Sequence, residues 1–173
     1  MSGLADAHLL RQVISHEVAG DPDLEGNPSL VCNADSPNSL HLAVMTGPFL
    51  GLILSGDKSI ESRFHRVRQA PLFAAAPGDV VAFKQSGGPV SAIGVIADAS
   101  FVNTAEVPLE RLREEVQHEL AATEDDFWAA RAQARWVSLL ALTRIREIPP
   151  IAISKRDRRG WIRYQPTCQI CSV

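Results

Sequence analysis

Cysteine is scarce in this chain. Its 173 residues hold three, Cys32, Cys168 and Cys171, too few and of the wrong parity for a disulfide framework, which points to a reducing compartment. Long apolar runs are also missing. Nothing approaches the roughly 20 residues needed to cross a bilayer, and an N-terminus carrying Asp6 without an unbroken apolar core lacks signal-peptide character. A cytoplasmic protein is expected. Cys168-Gln169-Ile170-Cys171 has the spacing of a metal knuckle and Cys32 adds a third thiolate, but a structural zinc site needs four converging ligands. The thiols are therefore read as buried or tail residues, and neither metal nor cofactor is assigned. Motifs of several enzyme classes are absent as well: no Gly-x-Ser-x-Gly elbow, no His-Glu-x-x-His helix and no Rossmann glycines. Ser86-Gly87-Gly88 lacks the lysine and spacing of a P-loop and reads as a hairpin turn.

What is present suffices for one core, since 46% of the residues are apolar. The formal net charge of -3 argues against a nucleic-acid binder only until the charges are located. Many acids lie in the first forty residues, whereas Lys58 to Arg68 and Lys155 to Arg163 are strongly basic.

Leu10, Val13, Ile14 and Val18 have helical spacing, so the chain opens with an amphipathic helix. Residues 20–39 collect Gly, Pro, Asn, Asp and Ser and read as a linker. The expected division is a helix and acidic linker over 1–39, a main domain over 40–164 and a tail over 165–173. In the main domain, His41 to Met45 suits a buried strand, Pro48 to Ser55 an apolar-faced helix, and Gly56 its left-handed end. Ser59 to Phe64 should be extended, with Ile60, Ser62 and Phe64 on one side and Ser59, Glu61 and Arg63 on the other. Pro77-Gly78-Asp79 is a turn before strand Val80 to Lys84, and a further strand spans Val90 to Ala97. Leu109, Leu112, Val116 and Leu120 share a helical face. Thr123 reads as the N-cap of another helix reaching about Arg135. Val137 to Ile145 alternates, Pro149-Pro150 should break it, and Gly160 to Tyr164 closes the domain. Five or six strands with two or three helices, in no regular alternation, indicate an α+β fold built on a small mixed β-barrel.

The ordered combination Gly56-Asp57-Lys58-Ser59-Ile60-Glu61-Ser62-Arg63, Pro77-Gly78-Asp79 and Lys155-Arg156-Asp157-Arg158-Arg159-Gly160-Trp161 resembles the ASCH (activating signal cointegrator homology) family of the PUA-like superfamily, in its bacterial single-domain form, over about Leu40 to Tyr164. The resemblance implies a PUA-like barrel with a cleft for single-stranded RNA or a modified nucleoside. One branch of the family removes the acetyl group from acetylated cytidine with a Lys, a Thr and a Glu; other bacterial members cut single-stranded RNA. Lys58 matches the lysine of both. The threonine, three residues on, is replaced here by Glu61, and Glu115 and Glu119 are the candidates for the glutamate.

The residues themselves allow two readings at each point. Lys58 can stabilise a phosphate or oxyanion, or act as a base if burial lowers its pKa; alternatively it pairs with Glu61 to hold the turn. Glu61 can be a base-edge acceptor or general base, or the partner of Arg63 in an internal ion pair. Arg63 can clamp a phosphate or orient Glu61. Ser59, His65, Arg66, Arg68 and Lys84 can track a nucleic-acid backbone at the cleft lip, or form a solvated face. Arg156, Arg158 and Arg159 can hold phosphates while Trp161 stacks a base or plugs the core. His41, in an apolar strand, reads as a hydrogen-bonded core residue. The function expected is RNA or modified-nucleoside binding with hydrolysis of single-stranded RNA. The alternatives are a non-catalytic interaction module and an amidohydrolase on acylated cytidine. A further expectation is that Asp21, Asp23 and Glu25 fold over the basic cleft and inhibit it.

Overall fold

The computed structural model describes residues 2–30, 38–154 and 158–165. The fold is α+β and PUA-like. Its ten elements are α1 (Ser2–Glu17), β1 (Leu40–Met45), α2 (Phe49–Ser55), β2 (Ile60–His65), β3 (Val80–Gln85), β4 (Val90–Asn103), α3 (Leu109–Val116), α4 (Asp125–Ala129), β5 (Trp136–Ile151) and β6 (Trp161–Tyr164). The strands form one sheet in the order β2-β5-β4-β3-β1-β6, in which β1 pairs parallel with β3 and the other neighbours are antiparallel.

Strand alternation sorts the core into layers. Leu40 and Leu42 of β1 and Val80 and Ala82 of β3 join Leu10, Ile14 and Val18 in one cluster under α1. Ala43, Met45, Val81 and Phe83 point the other way, into a cluster with Leu50 and Ile53 of α2 and with Trp161. Strands β1 and β3 are therefore covered on both faces, which is why they read as near-continuous apolar runs. A third cluster seats Leu112, Leu120 and Trp128 against Val137 and Leu139 of β5, with Ile60 and Phe64 of β2 packed on it.

Among the described linker residues, Asp21 and Asp23 do not reach the basic cleft. Asp21 pairs with Arg146 at 2.9 Å and Asp23 pairs with Arg144, both on β5, while Leu24 and Leu30 are buried in the α1 cluster. The expected inhibitory fold-over is thereby corrected: these carboxylates already have partners on another part of the sheet.

Two long strands curl the sheet. The β4–β5 register shifts at Val90/Ala92, Ile93/Val95 and Ile96/Asp98, and such bulges bend a strand and sharpen its twist. At one of them Gly94 faces Arg144 and Ile145, with Arg144 at a left-handed φ of 51°. A Cβ on Gly94 would lie 2.4 Å from Ile145 Cδ1 and 3.3 Å from Phe83 Cε2. Glycine is needed there for the close approach. Pro149-Pro150 do not end β5 as expected: three residues, 148–150, lie opposite the single residue Ser91 between the Val90–Ile151 and Ala92–Glu147 pairs, so the prolines occupy a bulge where no ladder N–H is required. Helix α4 is also shorter than expected, ending at Ala129, and Glu124 rather than Thr123 is its N-cap.

The edge strands β2 and β6 are not neighbours in the ladder. A side chain spans the seam instead. Arg63, from β2, donates through Nη1 to the Gly160 carbonyl (3.3 Å) just before β6 and through Nη2 to the Val44 carbonyl of β1 (3.1 Å).

Candidate nucleoside site at the barrel seam

The seam opens into a cleft of about 400 Å³, lined by the end of β1 (Val44, Met45, Thr46), Phe49 of α2, Lys58, residues 61–64 of β2, and Phe127, Ala130 and Arg131 around the end of α4. Lys58 reaches it because Gly56, at φ 84°, stops α2 in the left-handed conformation, and the Lys58 N–H then returns to the Leu52 carbonyl at 2.9 Å. The turn folds the lysine inward.

Lys58 is 3% exposed and Glu61 4%. The ammonium donates to the carbonyls of Ile60 (2.6 Å) and Leu120 (3.2 Å), with Glu61 Oε2 at 3.6 Å. The other carboxylate oxygen, Oε1, is 2.8 Å from Arg63 Nε. Lys58, Glu61 and Arg63 thus form one string of alternating charge along the cleft floor. Burial lowers the Lys58 pKa; Glu61 opposes that shift, and the charges of Arg63 and Arg131 add to it. The three side chains pair internally, as the structural reading of the motif expects, and they also line a cavity.

The walls are aromatic. Phe49, Phe64 and Phe127 border the cleft, with Phe127 edge-on to both of the others at ring separations of 6.2 and 5.7 Å. Arg131 lies 3.5 Å over the Phe127 ring and donates to the Phe127 carbonyl at 2.7 Å. Burial lowers its pKa and the Glu61 charge opposes that shift, and its guanidinium stands as a third cation beside the site. Sequence reading missed Arg131, Phe49 and Phe127, because nothing local marks a post-helix arginine or two core-like phenylalanines as cleft walls.

The remaining candidate residues divide. Ser59 is exposed, and its backbone is tied to Glu119 and Leu142. His65 is not at a solvent lip: it is 8% exposed, Gln69 Nε2 lies 2.9 Å from its Nδ1, and burial, with the nearby charge of Arg63, lowers its pKa. Arg66 and Arg68 are exposed on the loop after β2, Arg68 lying 4.4 Å over the Trp136 ring. Lys84 stands apart, its ammonium held by the carbonyls of Gly88 and Gln85 in the β3–β4 hairpin, and it lines neither this cleft nor its neighbour at the seam. Arg158 and Arg159 line that neighbouring cleft. Trp161 is 3% exposed, donates Nε1 to His41 Nδ1 at 2.9 Å and is covered by the Arg63 guanidinium at 5.3 Å. Base stacking by Trp161 is corrected accordingly, since its ring is spent in the core. Glu115, ion-paired to Arg111, and Glu119 are exposed, leaving Glu61 as the carboxylate of the cleft among the described residues. Arg156, Cys32, Cys168 and Cys171 lie outside the described residues.

No protein-family model matches the chain, and no curated protein does. Among solved structures it is similar to ASCH from Zymomonas mobilis, with 17% identity over 65% of this chain and 72% of that one and a TM-score of 0.51. Two mutant forms of the same bacterial protein align equally well, at 15% and 17% identity and the same TM-score. Likeness at this identity establishes an ASCH-like fold, the one implied by the Gly-x-Lys turn. No helix of the described residues is long and apolar enough to cross a membrane.

Proposed function

We propose that this protein binds single-stranded RNA or a modified nucleoside in the Lys58 cleft, and that Lys58, Glu61 and Arg63 act there as a metal-independent hydrolase of RNA. The observation that carries the reading is a buried lysine meeting a carboxylate on the floor of a cavity of nucleoside size, walled by three phenylalanines. Such walls stack a base, while the floor presents donors and one acceptor to its edge.

In the cleavage step, Glu61 takes the proton of a ribose 2'-hydroxyl and the 2'-oxygen attacks the adjacent phosphorus. The bond from phosphorus to the 5'-oxygen breaks, and Lys58, whose lowered pKa eases proton release, protonates that oxygen. The products are a 2',3'-cyclic phosphate and a 5'-hydroxyl end. Arg63 holds Glu61 in place.

The test is incubation of single-stranded RNA with the wild type and with Lys58→Ala, in EDTA, with end-group analysis. Cyclic-phosphate ends formed by the wild type and lost in the variant are expected; cleavage that survives the substitution removes Lys58 from the mechanism.

One observation favours a non-catalytic reading: the Lys58 ammonium already serves two carbonyls and Glu61 already serves Arg63. That reading predicts saturable binding without product. Acetylated cytidine, incubated in parallel, tests the amidohydrolase alternative, for which Glu61 stands where that branch has threonine.

A further inference from the structure

Two stretches of chain leave the Lys58 cleft side by side and meet at an aromatic cluster. On one, residues 61–64 of β2 line the cleft, Arg66 follows, and Arg68 lies over the Trp136 ring at 4.4 Å. On the other, Ala130 and Arg131 line the cleft and Trp136 opens β5. The Arg135 N–H ties the two, donating to the His65 carbonyl at 2.8 Å, and His65 stands opposite Trp136 in the β2–β5 ladder. Between them a shallow depression of about 450 Å³ is lined by Arg66, Arg135 and residues 132–134. The four steps from Phe64 to Arg68 span at most roughly 14 Å of extended chain, so one short oligonucleotide reaches from cleft to cluster.

The cluster is exposed where packing alone would hide it. Phe73, on the loop between β2 and β3, has its ring centre 5.1 Å from that of Phe101 and 6.0 Å from that of Trp136, yet it is 61% exposed, and Val67 of the same loop is 65% exposed. These are two of the three large apolar side chains exposed among the described residues. Phe73 also has a left-handed φ of 55°, which is unfavourable for a bulky residue, and strain of this kind collects at binding sites. Charge is a separate observation. Arg66, Arg68 and Arg135 are exposed and form no ion pair among the described residues. On the β4 side the Glu106 carboxylate accepts from the side-chain amide of Asn103, the residue opposite Trp136, at 2.9 Å. Unneutralised guanidiniums beside exposed rings match the phosphates and base faces of a single strand.

We propose that single-stranded RNA bound in the Lys58 cleft continues across the depression, with its phosphates between Arg66 and Arg135, and stacks a further base on Phe73 and the Arg68 guanidinium. The proposal rests on the RNA reading of the cleft and narrows the ligand from a free nucleoside to a strand. Arg68 suits the role because its plane, backed by the Trp136 indole, is exposed on the side where a base would lie. A protein partner would also cover Phe73 and Val67, but it gives no reason for guanidiniums along the line between cluster and cleft.

Fluorescence anisotropy of the full-length protein tests the platform, with a labelled dinucleotide and an RNA of about eight nucleotides, a length in the range that single-strand-binding domains cover. Both probes are 2'-O-methylated to block cleavage. Lengthening the RNA is expected to tighten binding to the wild type at least about tenfold, and Phe73→Ala/Arg68→Gln should lose at least about fivefold of that gain, the lower bound for one stacked base. Arg66→Gln/Arg135→Gln should lower the salt slope for the longer RNA by about 1.4, the value for two single-strand phosphate contacts, and Arg111→Gln should change neither quantity. The Trp136 indole N–H resonance, assigned with Trp136→Phe, should move with the longer RNA and not with the dinucleotide. Equal affinity for both lengths, with binding lost in Lys58→Met, would overturn the platform and leave the cleft reading standing. Length-dependent binding that ignores Lys58→Met would overturn the cleft reading and the continuous path with it. Self-association dispersed by Phe73→Ala, with RNA binding unchanged, would assign the patch to a protein interface and likewise overturn the proposal.

Discussion

The indole N–H of Trp161 donates to Nδ1 of His41 across 2.9 Å of buried core. Indole nitrogen is only a donor, so the His41 proton sits on Nε2, which donates to Asp79 Oδ2 at 2.8 Å. Asp79 accepts three further bonds, from the Ser39 N–H, the Ala76 N–H and the Asn38 side chain. The Pro-Gly-Asp turn is thereby connected through His41 and Trp161 to Arg63, and through Arg63 to Glu61 and Lys58. Asp79→Asn should break the first link, since an amide cannot accept from four converging donors. A loss of about 3 kcal/mol in urea denaturation is expected, accompanied by a shift of the Trp161 indole N–H resonance.

Acid should weaken the fold through two groups. Desolvation alone would raise the Asp79 pKa, but its bond from His41 and the backbone donors of Ser39 and Ala76 together bring it below the usual value of 3.8. Its contribution is therefore complete above about pH 4 and is lost as pH falls through the lower, folded value. His65 has a folded pKa below its ordinary 6.5. The unfolded chain takes up that proton first, so stability declines as pH drops below about 6.5. Urea midpoints measured from pH 8 to 3 should show both declines, and His65→Gln should remove the upper one.

Gly160→Ala tests the seat of Arg63 at the seam. The new methyl would crowd Arg63 Nη1 at 3.1 Å, and the guanidinium can move by a few tenths of an ångström. Stability should change by less than about 1 kcal/mol, while RNA affinity falls several-fold because the displaced Arg63 no longer holds Glu61 in the cleft.

Gly94→Ala acts on the curl of the sheet. Its methyl would collide with Ile145 Cδ1 and press on the buried Phe83 ring. Overpacking of this kind costs about 1–3 kcal/mol. Thermal denaturation should register that loss without a change in RNA affinity.

Helix α1 belongs to the core, with Leu10 and Ile14 fully buried against β1 and β3 strands. Leu10→Ala should cost about 2–5 kcal/mol in chemical denaturation. Deleting residues 1–39 should yield an aggregating protein rather than one that binds RNA more tightly, because it uncovers Leu40, Leu42, Val80 and Ala82. Soluble, folded protein from that deletion would contradict this account.

Much of the architecture is legible in local patterns. The αL glycine after α2, the alternation of β1 through β3 and the turn at Pro77-Gly78-Asp79 depend on backbone preferences and side-chain period, which neighbouring residues set. The path of β5 past Pro149-Pro150 is not legible in this way. A proline breaks a ladder only where its missing N–H is needed, and the bulge opposite β4 that removes the need is a property of two strands at once. Arg131 and the two phenylalanines of the cleft wall are hidden for a similar reason: a side chain becomes a wall only when another element stands opposite.

The charge string is the clearest division between the two. Sequence alone determined that Lys58 follows a glycine turn and that Glu61 and Arg63 share one face of a strand, since both follow from φ at Gly56 and a period of two. Only the tertiary structure decided that this strand is the open edge of a curled sheet. Edge strands leave a seam, and it is the seam that buries Lys58, lets Arg63 reach Gly160 and Val44, and divides one basic surface into two clefts.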